Sequence, residues 1–200
     1  DDYWDGPAYL DKVIAREIPE PTVRLTGLRT GELHMINDIP ADRMAEIEDA
    51  GEMQVVKWFP LNWDFVNLNH TFEPFQDARV RKAFDLIIDK EVLLDGALWG
   101  QGATTASPSY PTSESYNSDL SQRAQDIDAA RALLDEAGYP AGSLDIVFKA
   151  TTNYPYHIES AQILVEWFRM AGVNLSIEQL TWADWLSQCW VDKDYQMTMM

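Results

Sequence analysis

Apolar positions follow two periods along this chain, and the last third shows them most clearly. Ile158, Ala161, Val165 and Phe168 share one face of a helix expected over 156–171, with Gly172 just after it. Val173, Leu175 and Ile177 then alternate, as a half-buried strand over 173–180 does. An apolar run over 144–150 precedes the helix and reads as another strand. Strand, helix, strand in that order is a crossover unit, so the two strands should lie parallel. A helix over 128–137 ends at Gly138, a left-handed stop. Beyond the crossover, 182–190 reads as a helix and 195–200 as the start of a strand.

The first two thirds are less regular. Strands are expected at 13–18, 33–36, 53–59 and 63–68, the last two around Pro60, Leu61 and Asn62. Pro21 suits the first turn of a helix over 22–30, and Gly31 suits its end. A second helix spans 42–50 and closes on Gly51. Near Asn69 the character changes. Residues 70–76, with Pro74 and two phenylalanines, read as a connection. Asp77 caps a helix over 78–88 and Asp89 one over 90–99. The Ser-, Thr-, Pro- and Gly-rich stretch 100–125 reads as a long loop, a feature that compact domains keep for binding or packing. The fold class is α/β.

Composition narrows the function. Hydrophobic residues at 46% and charged ones at 24% describe a globular chain, not a disordered one. No apolar run approaches the roughly 18 residues of a membrane span, and no leader sequence is visible. The abrupt start at Asp1 and the stop at Met200, inside an apolar alternation, suggest an internal fragment. Thirty-three acids against fifteen bases leave a net charge of −18, spread along the chain. That field repels nucleic acid, so no nucleic-acid partner is expected. The lone Cys189 precludes an intrachain disulfide and reads as a buried, inert thiol.

No catalytic constellation stands out. His34, His70 and His157 are dispersed and form no zinc motif, there is no nucleophile elbow, and Gly100 and Gly102 lack the rest of a phosphate loop. No metal, cofactor or catalytic residue is expected. Arg79, Arg81 and Lys82 crowd the positive end of the helix over 78–88, so a neighbouring carboxylate should offset them. Eight tryptophans and eight tyrosines are more informative. Trp167 and Phe168 fit the core, whereas Trp63, Tyr154, Tyr156 and Trp182 fall where strands end. Ligands of open parallel sheets bind beyond the carboxyl ends of strands. The loop Thr151–His157 and the pair Thr181–Trp182 follow two such ends, and would form a wall of aromatic faces with Thr and Asn groups. The alternative is structural: Trp182 packs at a helix start and Asn153 caps the next helix.

Several stretches carry a resemblance. They are Tyr9-Leu-Asp-Lys-Val-Ile14, Ile18-Pro-Glu-Pro-Thr-Val-Arg24, Leu28-Arg-Thr-Gly-Glu32, Asn67-Leu-Asn69, Glu73-Pro-Phe75, Asp77-Ala-Arg-Val-Arg-Lys-Ala83, Ile88-Asp-Lys90, Ala129 through Tyr139, and Ala171-Gly-Val-Asn-Leu-Ser-Ile177. In this order, over nearly the whole chain, they resemble the extracellular solute-binding proteins of ABC transporters, family 5, the dipeptide, oligopeptide and nickel-binding type. His34 stands where that family commonly has Asp, and Ile87 where it has a small Ala.

The resemblance implies a periplasmic-binding-protein-like fold of type II, a two-lobed clamp with mixed sheets flanked by helices. Residues 1–68 would close the first lobe's segment, 69–76 would form the hinge, and 77–200 would build most of a second lobe. It also implies ligand contacts at Asn37, Trp63, Thr151, Asn153, Tyr156, His157 and Trp182. The acid that pairs with a peptide's amino terminus would lie beyond Met200. The implied function is capture of a peptide-like ligand and delivery to ABC permease subunits, by a monomeric protein outside the cytoplasm, free or membrane-anchored. Rival expectations are the same fold holding an oligosaccharide, a nickel complex or glutathione, and an acid/base hydrolase.

Overall fold

A four-stranded mixed sheet organises most of the chain. Its order is β1 (Val66–Leu68), β4 (Met197–Met199), β2 (Leu144–Thr151), β3 (Val173–Leu180). In this computed structural model, residues 4–37, 39–51, 53–57, 63–109 and 113–200 are described. They form two compact units, Asp1–Val55 and Val56–Met200.

In the larger unit, β2 and β3 run parallel over their full length, from Leu144 opposite Val173 to Thr151 opposite Leu180. The crossover between them is α6 (Pro155–Met170), as its sequence order requires. β4 lies parallel to β2 and antiparallel to β1. Ile146, Phe148 and Ala150 point from β2 into the main core, with Val173 and Leu175 from β3 and Met197 and Met199 from β4. That face is covered by α6 and, beyond it, by α3 (Ala78–Ile87), α4 (Lys90–Leu98) and α5 (Ile127–Glu136). On the other face lie α7 (Trp182–Trp185) and the π-helix Leu186–Val191 that continues it. Trp185, Cys189 and Leu180 form a second, smaller core there.

Phe72, Phe75, Phe84 and Phe168 meet edge to face in succession, with centroids 5.4, 5.1 and 4.7 Å apart. Each such pair adds about 0.5–1.5 kcal/mol beyond burial. The chain ties the 3-10 turn Glu73–Gln76 to α3 and α6. Asn69, just before that turn, is buried; its amide donates to the Lys193 and Tyr195 carbonyls, and its Oδ1 accepts from Thr71.

The caps follow local chemistry. Asp77 accepts from the Arg79 amide, Asp89 from the Val92 amide. The basic start of α3 is offset by its own cap and by carbonyls, not, among the described residues, by a carboxylate from another segment: Asp77 also grips the Arg79 guanidinium, which donates to the Glu136 carbonyl, and Arg81 donates to the Phe75 and Gln76 carbonyls. The Arg79 side chain, then its amide, holds the Asp77 carboxyl below its ordinary value.

Several expectations are corrected. α5 starts earlier than the apolar pattern suggested, because Asp126 caps it by accepting from the Ala129 amide. The helix over 182–190 is one α-turn followed by a π-helix. The face of α6 centres on Ala161, Leu164 and Phe168, with Val165 only half-buried. No strand forms over 13–18, 33–36 or 53–57, because these stretches have no ladder partner among the described residues. Val13 and Ile14 stand exposed. Residues 58–62, which include the end of one expected strand and its Pro60-Leu61-Asn62 turn, lie outside the described residues.

The smaller unit carries α1 (Pro21–Arg29), a 3-10 turn (Ala41–Arg43) and α2 (Met44–Ala50), which stops at the left-handed Gly51. Leu25 and Ile47 are its buried apolar anchors. Arg29 pairs with Glu46 at 2.7 Å and Arg16 with Glu32 at 2.8 Å.

Candidate functional site

Thr151 and Leu180 end β2 and β3 at the same level, so the loops that follow leave one edge of the sheet together. The Thr152 amide donates to the Leu180 carbonyl at 2.9 Å, extending the ladder one step into the loops. Thr151 itself is fully buried, and its hydroxyl accepts from the Asn153 amide at 3.2 Å. It therefore shapes the loop, while Asn153 stays exposed. No side-chain cap bond starts α6, so capping does not account for Asn153.

The aromatic residues of the two loops meet. Tyr154 and Trp182 lie edge to face with centroids 5.8 Å apart. Tyr154 is 5.9 Å from Tyr156 and 5.2 Å from His157. Trp182 stacks at 5.3 Å and 9° on Trp185. Trp185 is 4% exposed and Trp182 40%, so the inner indole serves as a platform for the outer one. Trp182 thus packs at a helix start and also presents a free face. Thr181 fixes that start by accepting from the Asp184 amide.

A third segment reaches the same place from the far side of the sheet. Phe65 and Met200 exchange backbone hydrogen bonds at 2.8 and 3.1 Å, extending the β1–β4 ladder to the residue after Asp64. The Asp64 carboxylate accepts from the Tyr156 hydroxyl at 3.0 Å. The same oxygen lies 3.8 Å from His157 Nε2. His157 is 3% exposed, and neither of its ring nitrogens has a hydrogen-bond partner. Trp63, beside Asp64, is partly exposed and packs on Phe65 with centroids 4.3 Å apart.

Tyr156, His157 and Trp182 therefore belong to one neighbourhood of the larger unit, linked through Asp64 and Tyr154, while Trp63 is tied to it only as the chain neighbour of Asp64. Asn37 belongs to the smaller unit, where it is exposed. Asp64 was not anticipated: it meets Tyr156 across 92 residues, and no local motif marks it. Tyr154 was recognised only as one aromatic of the loop.

Two other features of this unit hold little unmet chemistry. A cleft of about 420 Å³ is lined by Asn69, Thr71, Lys149, Glu178, Lys193 and Asp194. Its buried Lys149 ammonium already donates to Gln188, to the Asp194 carbonyl and to the Asp194 carboxylate. Cys189 is fully buried, and burial pushes its thiol up. Among the described residues no cluster of three or more His, Cys, Asp or Glu could hold a metal ion, and no helix is long and apolar enough to cross a membrane.

Comparison with known proteins fits this arrangement. The family model described as bacterial extracellular solute-binding proteins, family 5 Middle, matches residues 1–200. Heme-binding protein A of Haemophilus influenzae is 27% identical over 190 residues, covering 92% of this chain and 34% of that protein. The dipeptide-binding protein of Escherichia coli is 25% identical over 205 residues, covering 100% of this chain and 38% of that protein. Among solved structures, the periplasmic binding protein DppA of Helicobacter pylori, in complex with the peptide STSA, superposes with a TM-score of 0.89 at 26% identity, over 100% of this chain and 38% of that one. The chain thus spans little more than a third of the length of the relatives it matches. It belongs to the bacterial extracellular solute-binding proteins, family 5. That is a family of transporter binding proteins and not of enzymes, which sets aside the acid/base hydrolase.

Proposed function

We propose that this family 5 chain is the middle part of the solute-binding component of an ABC importer, which captures a peptide-like ligand between two lobes and delivers it to a membrane permease. The observation that carries the reading is the shared loop edge. Exposed Tyr154 and Trp182 stand there with Asp64 and the buried, unpartnered His157. Aromatic faces beside a few oriented polar groups suit a flexible polar ligand. Relatives named for dipeptides, and a solved neighbour holding a four-residue peptide, support the cargo. Trp63, Asn153, Tyr156, His157 and Trp182 would serve this wall, Thr151 would shape its loop, and Asn37 would be a ligand contact of the smaller unit.

Capture would work by closure. Contacts on both lobes shift an open–closed equilibrium toward the closed form, which then docks on the permease. The hinge would cross residues 69–76. The protein would act as a monomer outside the cytoplasm, free or membrane-anchored. The aromatic faces also support a second reading, the same fold with an oligosaccharide as cargo. Relatives named for heme and glutathione, and a neighbour holding a nickel–histidine complex, widen the range of alternatives.

Calorimetry on the full-length protein separates these readings. Di- and tripeptides should bind, and Trp182→Ala should weaken them by roughly tenfold or more, as loss of a buried aromatic anchor does. Binding of cello-oligosaccharides, nickel–histidine or glutathione with no binding of any peptide would overturn the peptide reading.

A further inference from the structure

We infer that Asp64 and His157 form a subsite for a cationic group, so that the protein prefers ligands carrying a lysine- or arginine-like side chain. This rests on the ligand wall proposed above and names the chemistry of one part of it.

His157 poses the question. It is 97% buried by its 3% exposure, yet both ring nitrogens lack partners. Buried polar atoms in native proteins are nearly always satisfied by protein, water or ligand, so these two nitrogens have capacity for a partner from outside the chain. Nε2 faces Asp64 Oδ1 at 3.8 Å, beyond hydrogen-bond reach. That gap has a useful size. With its proton on Nδ1, Nε2 is an acceptor, and a nitrogen donor beside the Nε2–Oδ1 line would then lie about 2.9 Å from each. An ammonium or guanidinium group carries three or five N–H donors and no acceptor, so it can serve both atoms at once.

The surroundings favour positive charge. Asp64 already accepts from Tyr156, and a carboxylate has capacity for further donors. Asp64 would repel a ligand carboxylate. Tyr154, Tyr156 and Trp182 supply aromatic faces, which attract cations. The net charge of −18 raises the local concentration of cationic ligands. A sugar hydroxyl could also bridge the two acceptors, but it would gain nothing from the charge or from cation–π attraction.

The test uses three probes on the full-length protein by calorimetry: the tripeptide Ala-Lys-Ala, its near-isosteric norleucine analogue, and cellotetraose. The lysine peptide should bind at least about tenfold more tightly than the norleucine peptide, the gain expected of a charge-assisted hydrogen bond. Asp64→Asn should abolish the difference in affinity between the two peptides. Asp64→Ser replaces that variant if asparagine unfolds the protein. Equal affinities in the wild type would overturn this inference and leave the peptide-binding reading standing. A lysine preference that survives at Asp64→Asn would overturn it as well, by placing the cation elsewhere. Binding of cellotetraose with neither peptide would overturn both readings.

Discussion

The Trp185 indole donates from Nε1 to the Thr198 hydroxyl at 2.9 Å, and that hydroxyl donates onward to the Lys149 carbonyl at 2.6 Å. Three elements, α7, β4 and β2, are joined through one fully buried side chain. The same Trp185 ring carries Trp182, so the relay fixes the floor of the proposed ligand wall.

Thr198→Val keeps the shape of that side chain and removes its hydroxyl. The indole N–H is then left buried without its acceptor, a cost of about 1–3 kcal/mol. Urea unfolding of the full-length protein should show this as a lower midpoint with an unchanged slope. A loss below about 0.5 kcal/mol would mean that water or another acceptor replaces the hydroxyl.

Gly172 and Gly138 both follow helices with positive φ, +85° and +93°, but only Gly172 is crowded. A Cβ there would lie 2.8 Å from Ala141 Cβ and 2.9 Å from Ala141 Cα, against nothing within 4 Å at Gly138. The turn cannot easily retreat, because the Gly142 amide donates to the Gly172 carbonyl at 2.7 Å. Gly138→Ala should cost about 1 kcal/mol, from backbone conformation alone. Gly172→Ala should cost distinctly more in the same unfolding experiment, and the reverse order would refute this packing.

Burial raises the Cys189 thiol above its ordinary value of 9.0. The unfolded thiol therefore ionises first as pH rises. The stability this burial confers is complete below about pH 9 and is lost from there up to the folded value. Tyr195, raised by burial above its ordinary 10.0, adds a loss of the same sign at higher pH. Cys189→Ala should lower stability at pH 7 by leaving a small void, yet flatten the decline above pH 9. Unfolding midpoints of wild type and variant that run parallel from pH 7 to 10 would contradict this.

Asp126 caps α5 through its bond from the Ala129 amide at 2.9 Å. Asp126→Ala should cost about 1 kcal/mol, and Asp126→Asn, which keeps an acceptor, much less. Thermal unfolding of the two variants is the comparison, and equal losses would mean that the side-chain acceptor is not what stabilises this end.

The elements that the chain announces in advance are those set by neighbours in sequence. Asp77 and Asp89 mark helix starts, Gly138 and Gly172 mark ends, and the 144–180 segment declares its parallel crossover. What stayed hidden depends on distant partners. Val13 and Ile14 have the composition of a strand, but a strand exists only where a ladder does. The π-helix after Trp185 leaves an apolar pattern that a plain helix would also give. In the site, the loop aromatics were legible from their place after strand ends. Asp64 was not, because its significance comes from Tyr156 and His157, far away in the chain and close in space.

The level ending of β2 and β3 separates two kinds of evolutionary risk. Phe148, Ala150, Val173 and Leu175 lie within the paired strands and lock the core. Tyr154, Tyr156 and Trp182 lie just past the last rung. Mutation can therefore rewrite the surface that meets the solvent while the scaffold beneath keeps its register. A lineage built this way could alter the proposed ligand wall without disturbing the sheet beneath it.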